Sequence, residues 1–270
     1  MFEKYLSQWQ LVPDGEPIVT PMSRLLPVRM GTRAAMLKVA MNDEEKYGGA
    51  LLRWWNGEGA AQVYEYDGDA ILMERARDAV SLLDMAENGE DDAATRILCS
   101  VVDRLHAPRG APPPNLVPLP EWFTGLWAAA AKHGGAYARA AEVARELHAA
   151  PREVVPLHAD IHHRNVLDFA ERGWLAIDPK RVIGDRGYEY ANIFTNPELS
   201  IVAQPERFAR QLEVVTEAAR IERSRLLRWI IAYAGLSAAW FLEDDDEESA
   251  TQDMAIAAMA DAALAESGGR

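Results

Sequence analysis

The chain has 270 residues, of which 49% are apolar and 26% charged, with a formal net charge of −14. That length and composition suit a globular protein of one large domain or two lobes; the excess of carboxylates argues against a nucleic-acid partner and tolerates or attracts a cationic ligand, the alternative being an acidic surface that serves solubility. Cys99 is the single cysteine, which excludes an internal disulfide or a CxxC site; with no leader pattern in MFEKYLSQWQ and no run of ~20 uninterrupted apolar residues, the cytoplasm is the expected compartment and no membrane partner is expected.

The first 75 residues read as β-rich. Ile18, Val19, Leu25, Leu26 and Val28 stand among Pro and Ser breaks. Gly31-Thr32 reads as a turn and Ala35–Val39 as a short, mostly buried strand. A helix is expected from Asn42, capped there or at Asp43, with Glu44 and Glu45 at its positive end and Asn56-Gly57 as its stop. Strands around 61–65 and 70–74 follow, joined by the hairpin turn Tyr66-Asp67-Gly68-Asp69.

The pattern then turns helical. Asp91 or Asp92 reads as the cap of a segment with Ala94, Ile97, Leu98, Val101, Val102 and Leu105 at helical spacing. A proline-rich stretch, Ala111–Asn115, separates it from an alanine-rich helical region, 121–149, that breaks at Gly134-Gly135. Three helices, near 205–221, 223–242 and 249–266, fill the last third. One strand-rich island, 154–183, lies between the helical blocks.

That island carries the chemistry. Asp160 and Asn165 stand five positions apart on a loop, a hairpin turn at Ala170–Gly173 returns the chain, and Asp178 emerges at the end of the second strand. Mg²⁺ takes hard oxygen ligands, commonly one or two from protein, and Asn165 with Asp178 offers that pair. Asp160 is then the candidate base for an attacking hydroxyl, the division of labour of kinase catalytic loops. His158 reads as a buried organiser of the loop, and His162 and His163 as loop residues, because adjacent histidines lack the i, i+4 spacing of a helical zinc pair. Phosphoryl transfer also needs a cation on the phosphates, and Lys38 on its apolar strand is the candidate, held by Glu45 or Glu44; the alternative is an edge-strand lysine facing solvent.

The runs His158-Ala159-Asp160-x-x-x-x-Asn165, Ile177-Asp178-Pro179-Lys180 and Gly184-Asp185-Arg186-Gly187-Tyr188-Glu189-Tyr190-Ala191-Asn192 resemble the aminoglycoside phosphotransferase family. Thr20–Val28, Leu105–Arg109 and Pro118–Trp122 are similar to its streptomycin 6-kinase and hydroxyurea-type resistance kinase branch, so the resemblance covers nearly the whole chain. It implies an α+β, bilobal protein-kinase-like fold, with an N-lobe over 1–75, a C-lobe over 76–270 and ATP with Mg²⁺ in the cleft. It also implies Asp160 as catalytic base, Asn165 and Asp178 as metal ligands, Lys38 as phosphate anchor, and backbone groups of Glu74 and Ala76 against adenine. Asp185 matches a position that supports the catalytic loop.

Two departures stand out. No glycine-rich loop precedes Lys38, so the Thr20–Arg24 turn, with Ser23, is expected to cover the phosphates. The family's glutamate partner for the lysine falls at Gly48, so Glu45, the candidate named above, does not match that position. Lys180, beside Asp178, reads as an exposed loop lysine; the alternative is a further contact to phosphate. The acceptor expected is a small, cationic, hydroxylated molecule, streptomycin at its 6-hydroxyl first, with carboxylates near Glu189 and in Glu243–Glu248 holding its cationic groups. The competing readings are a kinase for a sugar, an amine-sugar or hydroxyurea, and a non-catalytic kinase-like binding protein.

Overall fold

The computed structural model describes residues 1–77, 80–197 and 202–268, apart from the side chains of residues 43–45 and 268. A short helix, α1 (Glu3–Gln8), precedes an antiparallel sheet built from β1 (Leu11–Pro13), β2 (Ile18–Val19), β3 (Ser23–Met30), β4 (Arg33–Ala40), β5 (Val63–Tyr66) and β6 (Ala70–Glu74). The strand order is β1-β3-β4-β6-β5, with β2 paired to β3. The β3–β4 hairpin closes at Met30 opposite Arg33, and Gly31 supplies the positive φ of 61° that its two-residue turn needs.

Strand periodicity sorts β4. Ala35, Leu37 and Val39 join Leu26, Val28 and Leu72 in a small core beneath Tyr5 and Trp9 of the N-terminal segment. Met36 and Lys38 therefore stand on the opposite face, and the β3 register sets Leu25 beside Lys38. The α1 helix, not anticipated from sequence, covers the apolar side of this sheet and leaves the other side for the cleft.

The helix α2 (Asp43–Trp55) ends where Asn56 and Gly57 both take positive φ. It lies so close to the loop after Asp178 that a Cβ at Gly48 would stand 2.3 Å from the Pro179 carbonyl oxygen. No side chain fits at 48, which is the physical reason for glycine where the resemblance places a glutamate.

The remainder is mainly helical: α3 (Leu82–Met85), α4 (Asp91–Leu105), α5 (Leu119–Trp122), α6 (Thr124–His133), α7 (Gly135–Ala149), α8 (Gly187–Ala191), α9 (Pro205–Ala219), α10 (Arg223–Glu243) and α11 (Glu247–Gly268). Asp91 is not a cap; it lies in the first turn of α4, where Arg207 of α9 donates to both its carboxylate oxygens at 2.8 and 3.1 Å and Gln211 donates at 2.6 Å. Among the described residues α10 alone is long and apolar enough to cross a membrane by composition, and most of it is buried against α6, α7, α8 and α11.

Four short strands sit inside this helical part: β7 (Val117–Pro118), β8 (Val154–Leu157), β9 (Val166–Asp168) and β10 (Trp174–Ala176), with β11 (Val182–Asp185) after them. The β9–β10 hairpin pairs Val166 with Ala176, and β11 lies between β8 and β7. Asp185, at the end of β11, accepts from the backbone N–H groups of Arg152 and Gly187 and from the Trp229 indole, and pairs with Arg225. This buried carboxylate ties β11 to α8, α10 and the start of β8.

Candidate active site

Two hairpin ends meet in the cleft. The loop 158–165 leaves β8, and the segment 177–181 leaves β10. Ile177 N–H donates to Asn165 O at 2.9 Å and Lys180 N–H to His158 O at 2.8 Å, so the two segments are joined by backbone bonds on both sides.

Asp160 is set by what precedes it. Ala159 takes a positive φ of 64°, uncommon for a non-glycine residue, and is held there from beneath. Glu189, fully buried on α8, accepts the N–H of His158 at 2.6 Å and of Ala159 at 2.8 Å, and its carboxylate lies 3.3 Å from His106. Glu189 therefore shapes the 158–165 loop and is engaged by backbone, contrary to its expected place beside the acceptor.

His158 is an organiser, as read from sequence. Its Nε2 lies 2.7 Å from Ile177 O and must carry the proton, which leaves Nδ1 bare to accept Asp160 N–H at 3.3 Å. Burial lowers its pKa, although Glu189 and Asp160 pull the other way, so the neutral ring is the stable form.

Asn165 Nδ2 donates to Asp160 O at 2.9 Å and to Asp160 Oδ2 at 3.1 Å. With both amide hydrogens so engaged, Oδ1 is the atom left for a cation. Asp178 also has positive φ, 62°, and pairs with Lys38 of β4 across 140 residues of sequence. Burial alone would raise the Asp178 pKa, but Lys38, with help from Lys180 and His158, outweighs it and holds the carboxyl below its ordinary value. The Glu45 side chain, expected to hold Lys38, lies outside the described residues; the partner seen is Asp178.

The oxygen donors fit Mg²⁺. Among the described residues no group of three or more His, Cys, Asp or Glu side chains is gathered to hold a metal, so there is no all-protein cage of the zinc or calcium kind. One carboxylate and one amide oxygen in a cleft match a cation that keeps water and phosphate as its remaining ligands.

Two connected cavities open from this point toward the sheet. The first, about 370 Å³, runs from the Thr20–Ser23 turn past Lys38 to Asp178 and Lys180. Ser23 is buried; its N–H donates to Thr20 Oγ1 at 2.9 Å, a local turn that fixes the lip of the cavity. The second, about 410 Å³, lies among Leu25, Met36, Met73 and Phe169 and reaches Glu74, Arg75 and Ala76. The Glu74 N–H is taken by Gln62 O at 2.8 Å. Of this pair, the Glu74 N–H is therefore not offered to a ligand, contrary to its expected place against adenine.

A third cavity, about 390 Å³, opens on the far side of Asp160. Glu121 and Trp122 of α5, Tyr233 and Trp240 of α10, and Lys180 line it. The Trp122 and Trp240 rings meet edge to face, 6.1 Å between centroids. Sequence reasoning missed this wall, and the Glu243–Glu248 run expected to supply it forms the α10–α11 turn instead, with Asp246 bonded to Ser249 at 2.6 Å. Lys180 also departs from expectation. Its side chain is only 20% exposed and its Nζ lies 3.8 Å from Asp160 Oδ2. Its place directly after Asp178-Pro179 was the one signal available.

The chain is 53% identical over 262 residues to a streptomycin 3''-kinase from Klebsiella pneumoniae, covering 94% of this chain and 98% of that one. It is 31% identical to a streptomycin 6-kinase from Streptomyces glaucescens (97% and 88% covered) and 30% identical to a hydroxyurea phosphotransferase from Kitasatospora aureofaciens (94% and 76%). In fold it is similar to an aminoglycoside phosphotransferase solved with ADP and hygromycin B, with a TM-score of 0.65 at 17% identity over 96% of this chain and 97% of the other. A Plasmodium vivax ethanolamine kinase shares the fold at a TM-score of 0.61 and 11% identity, over 93% and 82%. These likenesses identify the architecture as the bilobal protein-kinase-like fold. Residues 8–245 match the aminoglycoside/hydroxyurea antibiotic resistance kinase family, and the chain belongs to that family.

Proposed function

We propose that this kinase transfers the γ-phosphoryl group of ATP to streptomycin, at the 3''-hydroxyl. The observation that carries the reading is the position of Asp160, with the phosphate cavity on one side and a cavity walled by Glu121, Trp122, Tyr233 and Trp240 on the other. Tryptophan faces and a carboxylate attract guanidinium and ammonium groups, and the chain's net charge of −14 favours their approach. The 53% identity to a streptomycin 3''-kinase favours that hydroxyl over the 6-hydroxyl expected from sequence, since the 6-kinases stand at 31% and 29%.

In this reading the cleft divides a sheet-bearing lobe, 1–75, from a helical lobe, 76–270, and the enzyme acts in the cytoplasm, where ATP is available. The cavity among Leu25, Met36, Met73 and Phe169 takes adenine, with Ala76 N–H and the neighbouring Glu74 backbone at its edge. The Thr20–Ser23 turn and Lys38 hold the phosphates. Asn165 Oδ1 and the Asp178 carboxylate would hold Mg²⁺, which neutralises phosphate charge when bound. Asp160 takes the proton of the acceptor hydroxyl as that oxygen bonds to the γ-phosphorus; the bond to the β,γ-bridging oxygen breaks and ADP leaves with the electron pair. Asp160 is held for this by the Asn165 amide on one oxygen and its own N–H on His158.

The test is ATP consumption across streptomycin, other aminoglycosides, simple sugars and hydroxyurea, paired with growth of a susceptible bacterium expressing the gene. Streptomycin-dependent turnover and raised streptomycin tolerance are expected. Turnover on hydroxyurea or a sugar with none on streptomycin would replace this acceptor by another.

A further inference from the structure

Lys180 is the residue common to the walls of the phosphate cavity and the acceptor cavity. Its backbone is pinned by the bond to His158 O at 2.8 Å, and its Nζ lies 3.8 Å from the Asp160 carboxylate. The loop from Asp160 to Asn165 presents no lysine of its own, and Lys38 reaches the cleft from the opposite wall, on β4. Among the described residues, the one ammonium lining both cavities is thus two residues beyond Asp178.

We propose that Lys180 is a catalytic residue for phosphoryl transfer, its ammonium contacting the equatorial oxygens of the phosphoryl group as it passes from ADP to the acceptor oxygen. The proposal rests on the kinase reading above. Lys180 gives up no proton: the acceptor proton goes to Asp160 and the electron pair of the broken bond to ADP. Charge spreads over those equatorial oxygens in the transition state, and a fixed cation there acts more strongly than on the ground state. A lysine in the wall of a cavity for a cationic acceptor repels that acceptor before reaction. Ground-state binding of the acceptor therefore gains nothing from it, which separates this role from a binding role.

The separation can be measured. Lys180→Met keeps the length of the side chain and removes its charge, and Lys180→Arg restores a charge. Steady-state kinetics with streptomycin should show kcat lowered about 10²–10³-fold in Lys180→Met, the range for loss of one preorganised transition-state contact, with KM for streptomycin unchanged or lower. Lys180→Arg should recover most of the loss, and ATP affinity by calorimetry should match wild type in both. A Lys180→Met enzyme within threefold of wild-type kcat, or one whose loss appears as weakened ATP or streptomycin binding, would overturn the proposal. An unfolded Lys180→Met leaves the Arg variant to decide: a folded Lys180→Arg with kcat lowered about as far as a full loss of the contact rejects it. If the wild type prefers another alcohol, the same split is read with that acceptor, so failure of the streptomycin assignment and failure of the Lys180 assignment give different results.

Discussion

The two sides of Asp160 are built in different ways. On the side proposed for the nucleotide, Asp160, Asn165 and Asp178 come from one 19-residue stretch and are locked by short, buried contacts: two positive-φ residues, a neutral histidine and a buried glutamate. On the side proposed for the acceptor, Glu121, Trp122, Tyr233 and Trp240 come from helices more than 100 residues apart and meet as side chains across a cavity. A backbone-fixed centre can keep one chemistry while a side-chain wall changes its ligand. The phosphate machinery and the acceptor preference should therefore respond separately to mutation.

The largest effect expected is on the chemical side. Asp160→Asn keeps size and most hydrogen bonding but cannot take the acceptor proton, so kcat should fall by about 10²–10⁴-fold or more while ATP affinity by calorimetry is unchanged. Near-normal turnover in a folded Asp160→Asn protein would erase the distinction between the two sides. Asp178→Ala should also reduce turnover by orders of magnitude, about 10²-fold or more, and in addition abolish the Mg²⁺-dependent part of ATP-induced thermal stabilisation. Retention of that stabilisation would move the metal elsewhere.

A smaller and opposite signature belongs to the wall. Trp240→Ala removes one face of the aromatic pair, worth roughly 0.5–2 kcal/mol toward a cation, so KM for streptomycin should rise about 2–30-fold with little change in KM for ATP. A fall in kcat alone would contradict its assignment to acceptor binding.

The smallest effect tests the scaffold behind the wall. Asp253 on α11 is fully buried, both its carboxylate oxygens lack a hydrogen-bond partner, and burial pushes its pKa up to about 7 although nearby Ser237 offsets part of this. The folded state thus holds a proton that the unfolded chain releases near pH ~4, so stability declines as pH rises between roughly 4 and 7 and is lowest above that window. Asp253→Asn should flatten this part of the Tm profile, with the gain over wild type larger at about pH 8 than at about pH 5. An equal gain at both would show that Asp253 titrates normally.

Much of this molecule was legible from its residues. The Gly31-Thr32 turn, the Lys38 strand, the helix stopped at Asn56-Gly57 and the three terminal helices all fall where periodicity and turn chemistry set them. That Asp160, Asn165 and Asp178 would be gathered in one cleft was legible because they are close in sequence and bracketed by short strands. The acceptor wall was not, because Trp122 and Trp240 read in isolation as ordinary apolar residues of amphipathic helices, and only packing of α5 against α10 brings their rings together. Glu189 misled for a related reason, since an acidic residue in a polar run gives no sign that its carboxylate will be spent on two backbone amides. The α1 helix was missed because six residues carry too little periodicity to register.

The central claim is that Asp160 directs phosphate onto a streptomycin hydroxyl presented by the aromatic wall. The most direct measurement is the position of phosphate in the product, read by ³¹P–¹H correlation NMR after incubation of the wild type with ATP, Mg²⁺ and streptomycin. The account predicts a single phosphomonoester coupled to the proton at the 3'' carbon. Phosphate at the 6 position would reject the 3'' assignment, and ATP consumed with streptomycin recovered unmodified would contradict the account at its core.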